Sequence, residues 1–310
     1  MTHGHAPGKV ILVGEHAVVY GRPAIAVPVT DVRADVIVED TNGRPGVTIH
    51  AEDIGRVIDV CSAPLQEPLS LTVRNALGHI GMDVQRVQLS LTIRSSIPVA
   101  SGMGSGAAIA AAMVRALAAH LNYPLDRAII SSIVYETEKI HHGTPSGIDN
   151  TVVVFEQPVY FRRGWPIATF DVKRPFWLAI GDTGVPSLTK AAVSDVRAAW
   201  QRDPERYDGI FDQIGALVDA ARQAIESGHV EVLGALMDEN QRLLRHLDVS
   251  SPELEALIAS ARQEGARGAK LSGGGRGGSV IAVIEPEDAE TISRALVAVG
   301  ARKVIVTRVG

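Results

Sequence analysis

Three glycines at alternate positions, Gly102, Gly104 and Gly106, separate an alternating apolar stretch at Val87 to Ile93 from an Ala-rich run that ends at Leu121. The apolar period changes from two to the helical repeat across this point. The segment Pro98-Val99-Ala100-Ser101-Gly102-Met103-Gly104-Ser105-Gly106-Ala107-Ala108 therefore reads as a strand-to-helix turn. Glycines let a backbone bend until successive N–H groups point at one spot. A helix start adds unpaired donors and the positive end of the helix dipole. Together these make a phosphate cradle. The segment is not a Walker A loop, because no Gly-Lys-Ser/Thr follows, and it lacks dinucleotide-binding spacing. Taken alone, a plain structural turn explains it equally well.

A second glycine-rich segment, Lys270-Leu271-Ser272-Gly273-Gly274-Gly275-Arg276-Gly277-Gly278-Ser279, lies between the strand-like Ala269 to Leu271 and Val280 to Ile284. It is either a flexible connection or a loop packed against a ligand or the first cradle, where Arg276 could reach a phosphate. A third, His141-His142-Gly143-Thr144-Pro145-Ser146-Gly147-Ile148-Asp149-Asn150, follows a helix bearing Glu136 and Glu138. Asp149 there either caps a turn or carries chemistry. The adjacent histidines do not have the spacing of a helical zinc motif. Near the start, Gly8-Lys9 opens the strand Val10 to Val13, which would bury the Lys9 stem, and Gly14-Glu15-His16-Ala17-Val18-Val19-Tyr20-Gly21 follows directly.

With 310 residues, 46% of them hydrophobic and 21% charged, the chain has the composition of a globular protein and excludes disorder. A net charge of −5 without a basic run argues against nucleic acid, so an anionic substrate needs local groups to hold it. Cys61 is the only cysteine, which excludes an intrachain disulfide and a cysteine zinc framework and fits a reducing cytoplasm. Met1 to Lys9 is unlike a signal peptide, and Ala107 to Leu121 is broken by Arg115, so neither export nor a membrane span is expected.

Strands are expected at Val10 to Val13, Ala24 to Val29, Asp35 to Val38, Val87 to Ile93, Thr151 to Phe155, Trp177 to Gly181, Ala269 to Leu271, Val280 to Ile284 and Val304 to Thr307. Helices are expected at Pro68 to Gly81, Gly104 to Leu121, Asp126 to His141, Ser187 to Gln201, Tyr207 to Ser227, Val230 to Leu247, Ser251 to Glu264 and Pro286 to Val299. This mixture indicates an α+β architecture in two lobes, 1–172 and 173–310.

Ala6 to Gly21, Pro98 to Ala108 and Lys270 to Ser279 together resemble the three signature motifs of the GHMP kinases, in order and spacing. The runs Gly14 to Gly21, Gly143 to Asn150, Asp182-Thr183-Gly184-Val185-Pro186-Ser187-Leu188-Thr189 and Met237 to Gln241 look like the mevalonate kinase branch in particular. The resemblance implies a ribosomal protein S5 domain 2-like N-terminal lobe and a ferredoxin-like C-terminal lobe. It implies ATP and Mg²⁺ as cofactors and mevalonate as the small-molecule substrate. It also admits a homodimer.

By the same resemblance, Asp149 takes the hydroxyl proton and Lys9 stands beside the transferred phosphoryl group. Pro98, Ala100, Ser101, Gly102, Met103, Gly104, Ser105, Gly106 and Ala107 surround the ATP phosphates. Glu15, His16, Gly143, Thr144, Ser146, Gly147, Thr183 and Gly184 line the substrate site, and Ser272, Gly273, Gly274, Gly275 and Arg276 form the third motif. Glu138 holds the metal. Two positions depart from the family pattern. Gly106 stands where a second serine usually offers a metal-binding hydroxyl, which leaves Ser105 as the substitute, and Arg276 stands where glycine is usual. The competing readings are a phosphomevalonate kinase, a mevalonate 3-kinase, a sugar kinase, or a non-catalytic descendant that binds a ligand.

Overall fold

The computed structural model describes residues 1–98, 101–142, 145–187 and 189–310. Its chain forms two compact units that interleave along the sequence. One comprises Met1–Gly8, Val32–Ile97 and Gly104–Glu156; the other comprises Lys9–Asp31, Pro98–Met103 and Gln157–Gly310. Two long strands, β1 (Thr2–Val13) and β2 (Ala24–Asp40), give residues to both units.

The first unit adds β3 (Gly46–Ala51), β4 (Arg56–Asp59), α1 (Pro68–Ile80), β5 (Gln88–Ser95), α2 (Ser105–His120), α3 (Arg127–His142) and α4 (Ile148–Phe155). Its strands lie in the order β4-β3-β5-β2, with β3 and β5 parallel and the other pairs antiparallel. Strands β3 and β4 are absent from the sequence expectation: β4 has four residues, and in β3 the alternation of Val47, Ile49 and Ala51 with Thr48 and His50 spans six. Helices α1 to α4 pack on one another, and α2 lies against β5. All the alanines of α2 except Ala119 are buried, and small side chains permit close approach. At Gly4 the N-terminal strand meets this helix so closely that a Cβ would stand 2.4 Å from the Ala112 carbonyl oxygen.

The expectation of a strand at Thr151 to Phe155 is corrected, because these residues belong to α4. The run Thr-Val-Val-Val favours strand locally. Gly147 instead starts a helical turn at φ 90°, and the Thr151 side chain folds back on that turn, its Oγ1 donating to the Gly147 carbonyl at 2.7 Å. Packing on α2 and α3 buries Val152, Val153 and Val154 fully, so tertiary burial overrides the local preference.

The second unit adds β6 (Val159–Phe161), β7 (Ala168–Thr169), β8 (Phe176–Asp182), α5 (Thr189–Arg202), α6 (Pro204–Ser227), α7 (Leu233–His246), α8 (Pro252–Gln263), β9 (Gly268–Ser272), β10 (Ser279–Ile284), α9 (Ala289–Ala298) and β11 (Lys303–Val309). The last four-stranded sheet is antiparallel throughout, in the order β11-β8-β10-β9. Counted from β8, that is 4-1-3-2 with helices after the first and third strands, the ferredoxin-like arrangement. Its core is built from Ala179, Leu271, Val280 and Ala282 against Phe211, Leu244, Leu257 and Leu296.

Strand β9 is a sheet edge, and its outward N–H groups need partners. Helix α7 supplies them from one face. Ala269 N donates to Asp238 Oδ1 at 2.9 Å and Leu271 N to Gln241 Oε1 at 3.0 Å. The close approach is set by Gly234 and Gly268, where a Cβ on either would fall within 2.2 Å of the other segment's backbone. The run Met237 to Gln241 thus has a structural task in closing the edge of the sheet.

Candidate active site

The third glycine motif is the hairpin loop between β9 and β10, whose flanking residues Ser272 and Ser279 are paired. Gly273, Gly275, Arg276, Gly277 and Gly278 all have positive φ, so the loop has one defined, tightly wound path. It packs against the first cradle, one of the two outcomes the sequence left open. Ser279 Oγ donates to the Ser101 carbonyl at 3.1 Å, and a Cβ on Gly278 would stand 3.3 Å from the same oxygen. Ser101 Oγ donates to the Pro98 carbonyl at 2.9 Å.

Strand β1 lies alongside. Lys9 N donates to the Met103 carbonyl at 3.0 Å, and Lys9 is only 4% exposed. Ser272 Oγ accepts from Ile11 N at 3.1 Å and donates to Ile11 O at 3.0 Å. Thr183, at the end of β8, donates from both its N–H and its hydroxyl to the Gly278 carbonyl, at 2.9 and 2.7 Å. Gly184 follows at φ 72° and is exposed. Within this unit the structure brings together Lys9, Pro98, Ser101 to Met103, Thr183, Gly184 and the whole third motif.

Glu15 and His16 join the same cluster, in a way the sequence did not reveal. The Glu15 side chain is completely buried and its Oε1 pairs with Lys270 Nζ, which also donates to the Leu271 carbonyl at 2.5 Å. Burial pushes the Glu15 carboxyl up and the Lys270 ammonium down, and their mutual attraction opposes both shifts. Glu15, expected at the substrate site, uses Oε1 as an internal counter-ion of Lys270, and its Oε2 is buried with no hydrogen-bond partner among the described residues. The signal for this pair was a lysine inside the apolar strand Ala269-Lys270-Leu271, which a buried strand position tolerates only with a partner. His16 Nε2 meets the Gly274 carbonyl at 3.1 Å. Burial lowers the His16 pKa to about 4, so the ring is neutral near pH 7, Nε2 carries the proton and donates it, and Nδ1 is left as a bare acceptor.

The depressed His16 value makes stability depend on pH. Above about pH 6.5 the ring is neutral in both folded and unfolded chains and contributes nothing. From there down to about pH 4 only the unfolded chain gains the proton, so stability falls with pH. Between pH 6.5 and 5 the loss is about 2 kcal/mol, at 1.36 kcal/mol per unit. Urea unfolding of the native chain and of His16→Gln at pH 7 and 5 checks this, and the variant should lose less by about that amount.

Arg276 takes a different role from the phosphate contact considered above. Its guanidinium is engaged by the Asp195 carboxylate on α5 and by the Asp248 carbonyl at 3.1 and 3.2 Å, and its own N–H donates to Val249 O at 2.8 Å. It is a strut that ties the hairpin to α5 and to the turn before α8. We expect Arg276→Ala to lose about 1 kcal/mol of stability while the KM for ATP stays within about twofold. A marked rise in that KM, measured by initial rates, would restore the phosphate contact.

The first unit carries the remaining candidates. Helix α2 starts at Gly104, φ 71°, and no side chain caps its first turn. Ser105 opens that turn and Gly106 follows without a side chain, so Ser105 offers the turn's one hydroxyl. Glu138 is buried on α3, at 3% exposure. Asp149 is half-buried in the first turn of α4, between the buried Ile148 and Asn150, and an acidic residue there complements the positive end of the helix. Asn150 Nδ2 donates to Ser131 Oγ at 2.8 Å, and Ser146 Oγ accepts from Ile148 N at 3.3 Å, which fixes the backbone on both sides of Asp149. Ala100, Gly143 and Thr144 lie outside the described residues.

Comparison with known proteins agrees with this picture. Residues 70–157 match the model of the GHMP kinases N-terminal domain, and residues 221–302 that of the GHMP kinases C-terminal domain. The mevalonate kinase of Pyrococcus abyssi is 35% identical, over 95% of this chain and 92% of that protein. The mevalonate kinase of Thermococcus sibiricus is 32% identical over 97% and 94%. The crystal structure of L. major mevalonate kinase in complex with R-mevalonate superposes with a TM-score of 0.86 at 29% identity, covering 100% of this chain and 96% of that one. The fold and its glycine motifs are those of an ATP-dependent small-molecule kinase. The chain belongs to the GHMP kinase family, on its mevalonate kinase branch.

Proposed function

We propose that this chain transfers the γ-phosphate of ATP to the primary hydroxyl of mevalonate, giving mevalonate 5-phosphate and ADP. The observation that carries the reading is the start of α2. A 16-residue helix opens at a left-handed glycine, without a side-chain cap on its first-turn amides. Those amides and the helix dipole suit the β- and γ-phosphates of a nucleotide.

In this scheme the mevalonate oxygen attacks the γ-phosphorus, the bond from phosphorus to the β,γ-bridging oxygen breaks, and ADP leaves. Asp149 accepts the hydroxyl proton. Lys9 offsets the negative charge that gathers on the attacking and transferring oxygens. Glu138 and the Ser105 hydroxyl would hold Mg²⁺, which when bound neutralises phosphate charge. Among the described residues no three His, Cys, Asp or Glu side chains cluster into a cage. A buried carboxylate and a helix-start hydroxyl are hard oxygen donors that suit an ion taking its other ligands from phosphate and water. The reaction is placed in the cytoplasm, which supplies ATP. Among the described residues no helix is long and apolar enough to cross a membrane.

A coupled ADP-release assay with mevalonate, mevalonate 5-phosphate and galactose tests the assignment. Turnover with mevalonate alone is expected. A preference for mevalonate 5-phosphate or galactose would move the chain to another branch of the family, and no turnover with any of them would remove the kinase reading.

A further inference from the structure

The residues Glu15-His16-Ala17 make an unusual turn. His16 has φ 60° and ψ −48°, and Ala17 N donates to the Glu15 carbonyl at 2.6 Å. A bond from residue i+2 to i across a centre of positive φ is the rare, strained form of the γ-turn. For a residue with a Cβ this conformation is costly and persists only where its surroundings over-determine it.

Three side-chain contacts supply that constraint. Gly14 N, just before the turn, points at Asn240 Oδ1 on α7 at 3.4 Å. His16 Nε2 donates to Gly274 O at 3.1 Å. The Glu15 carboxylate is clamped by Lys270, from a strand 255 residues further along the chain. Two of the three partners thus belong to the β9–β10 hairpin and one to the helix that closes the edge of β9. Only the Glu15–Lys270 contact is an ion pair between fully buried side chains.

The turn is held but not fully satisfied. Among the described residues His16 Nδ1 is buried with no hydrogen-bond partner. A histidine serving only as core packing would be expected to use both nitrogens. With Nε2 committed to a carbonyl, Nδ1 is an acceptor lone pair in a fixed position, suited to a hydroxyl donor.

We propose that Lys270 is a positioning residue for the transfer reaction. Through its buried pair with Glu15 it holds His16 in the strained γ-turn, where Nδ1 is the acceptor available to a hydroxyl of the substrate. Lys270 does not touch substrate itself; it acts through Glu15 and the turn. This rests on the small-alcohol kinase reading given above. It goes beyond that reading by assigning Glu15 to the scaffold and by adding a residue of the third motif to the substrate side of the chemistry.

The test compares Lys270→Met with the double variant Glu15→Met/Lys270→Met. The single variant strands a buried carboxylate and is expected to be less stable. The double variant removes both charges and is expected to recover most of that stability. If Lys270 positions the turn, both variants raise the KM for mevalonate by roughly tenfold to a hundredfold, the scale of releasing a strained backbone. The KM for ATP should move by less than about threefold.

The imidazole ¹⁵N spectrum of the free enzyme gives a second readout, independent of substrate. The native chain should show a single neutral tautomer with its proton on Nε2, and the double variant a mixture of tautomers. A double variant that regains stability, the native KM and the single tautomer would make the pair merely structural and overturn the proposal. Should the native chain show the fixed tautomer yet not turn over mevalonate, the substrate assignment fails and the positioning of His16 by Lys270 stands.

Discussion

Asp149→Asn is expected to lower kcat by about 10²–10⁴-fold, the range for loss of a positioned general base, with the KM for ATP little changed. The substitution is nearly isosteric, and neighbouring residues hold the local frame. Gly147 sets the entry to α4 at φ 90°, Ile148 is 1% exposed, and Asn150 is tied to Ser131. An amide at position 149 therefore keeps the backbone and removes the negative charge together with the capacity to accept a proton. Single-turnover phosphate transfer, followed by quench and separation of the product, reads the chemical step directly. A variant with native kcat would exclude Asp149 from proton transfer and leave it as a helix-start residue. Thermal unfolding of the same variant serves as the control. With the fold intact, a large loss of kcat cannot be assigned to collapse of α4.

The sequence made some of this architecture legible and concealed the rest for identifiable reasons. Helix α2 was plain, because sixteen residues rich in alanine follow a glycine turn and have one reading. Strands β8 and β10 were plain because they are largely apolar runs bounded by glycine and proline. Helix α4 was hidden, since its three consecutive valines favour strand and only burial against two other helices decides the matter. Strand β4 was hidden because a four-residue segment gains its identity from its pairing partner, whereas β3 carried a readable alternation at Val47, Ile49 and Ala51.

At the site, the glycine motifs announced themselves, but their mutual packing did not. Nothing local in Gly14-Glu15-His16 says that a lysine 255 residues away will neutralise the carboxylate. Arg276 has the same kind of distant partner. A cation in a glycine loop suggests an anion, and its anion is Asp195 on the protein's own α5. Long-range electrostatic pairing is a property of the fold, and a linear pattern carries only its unpaired halves.

The hairpin that organises this site is expected to fail most sharply at Gly275. Gly275→Ala should cost about 3 kcal/mol or more in stability, from two additive causes. The residue has φ 74°, which disfavours any side chain by about 1–2 kcal/mol. A Cβ there would also lie 2.0 Å from the Val249 carbonyl oxygen. That oxygen accepts the Arg276 N–H at 2.8 Å, so relief by moving the carbonyl would break the bond that shapes the loop. Gly273 provides the matched comparison. Its φ is 88°, but a Cβ there meets nothing within 4 Å. Gly273→Ala therefore carries only the conformational cost, about 1 kcal/mol. Urea unfolding of the two variants separates steric conflict from backbone preference. The Gly275 change should also lower activity more than the Gly273 change, because displacing the loop draws the Gly274 carbonyl away from His16. Equal stability losses in the two variants would mean that Val249 yields to a methyl group without resistance, and the close packing that fixes the hairpin path would have to be abandoned.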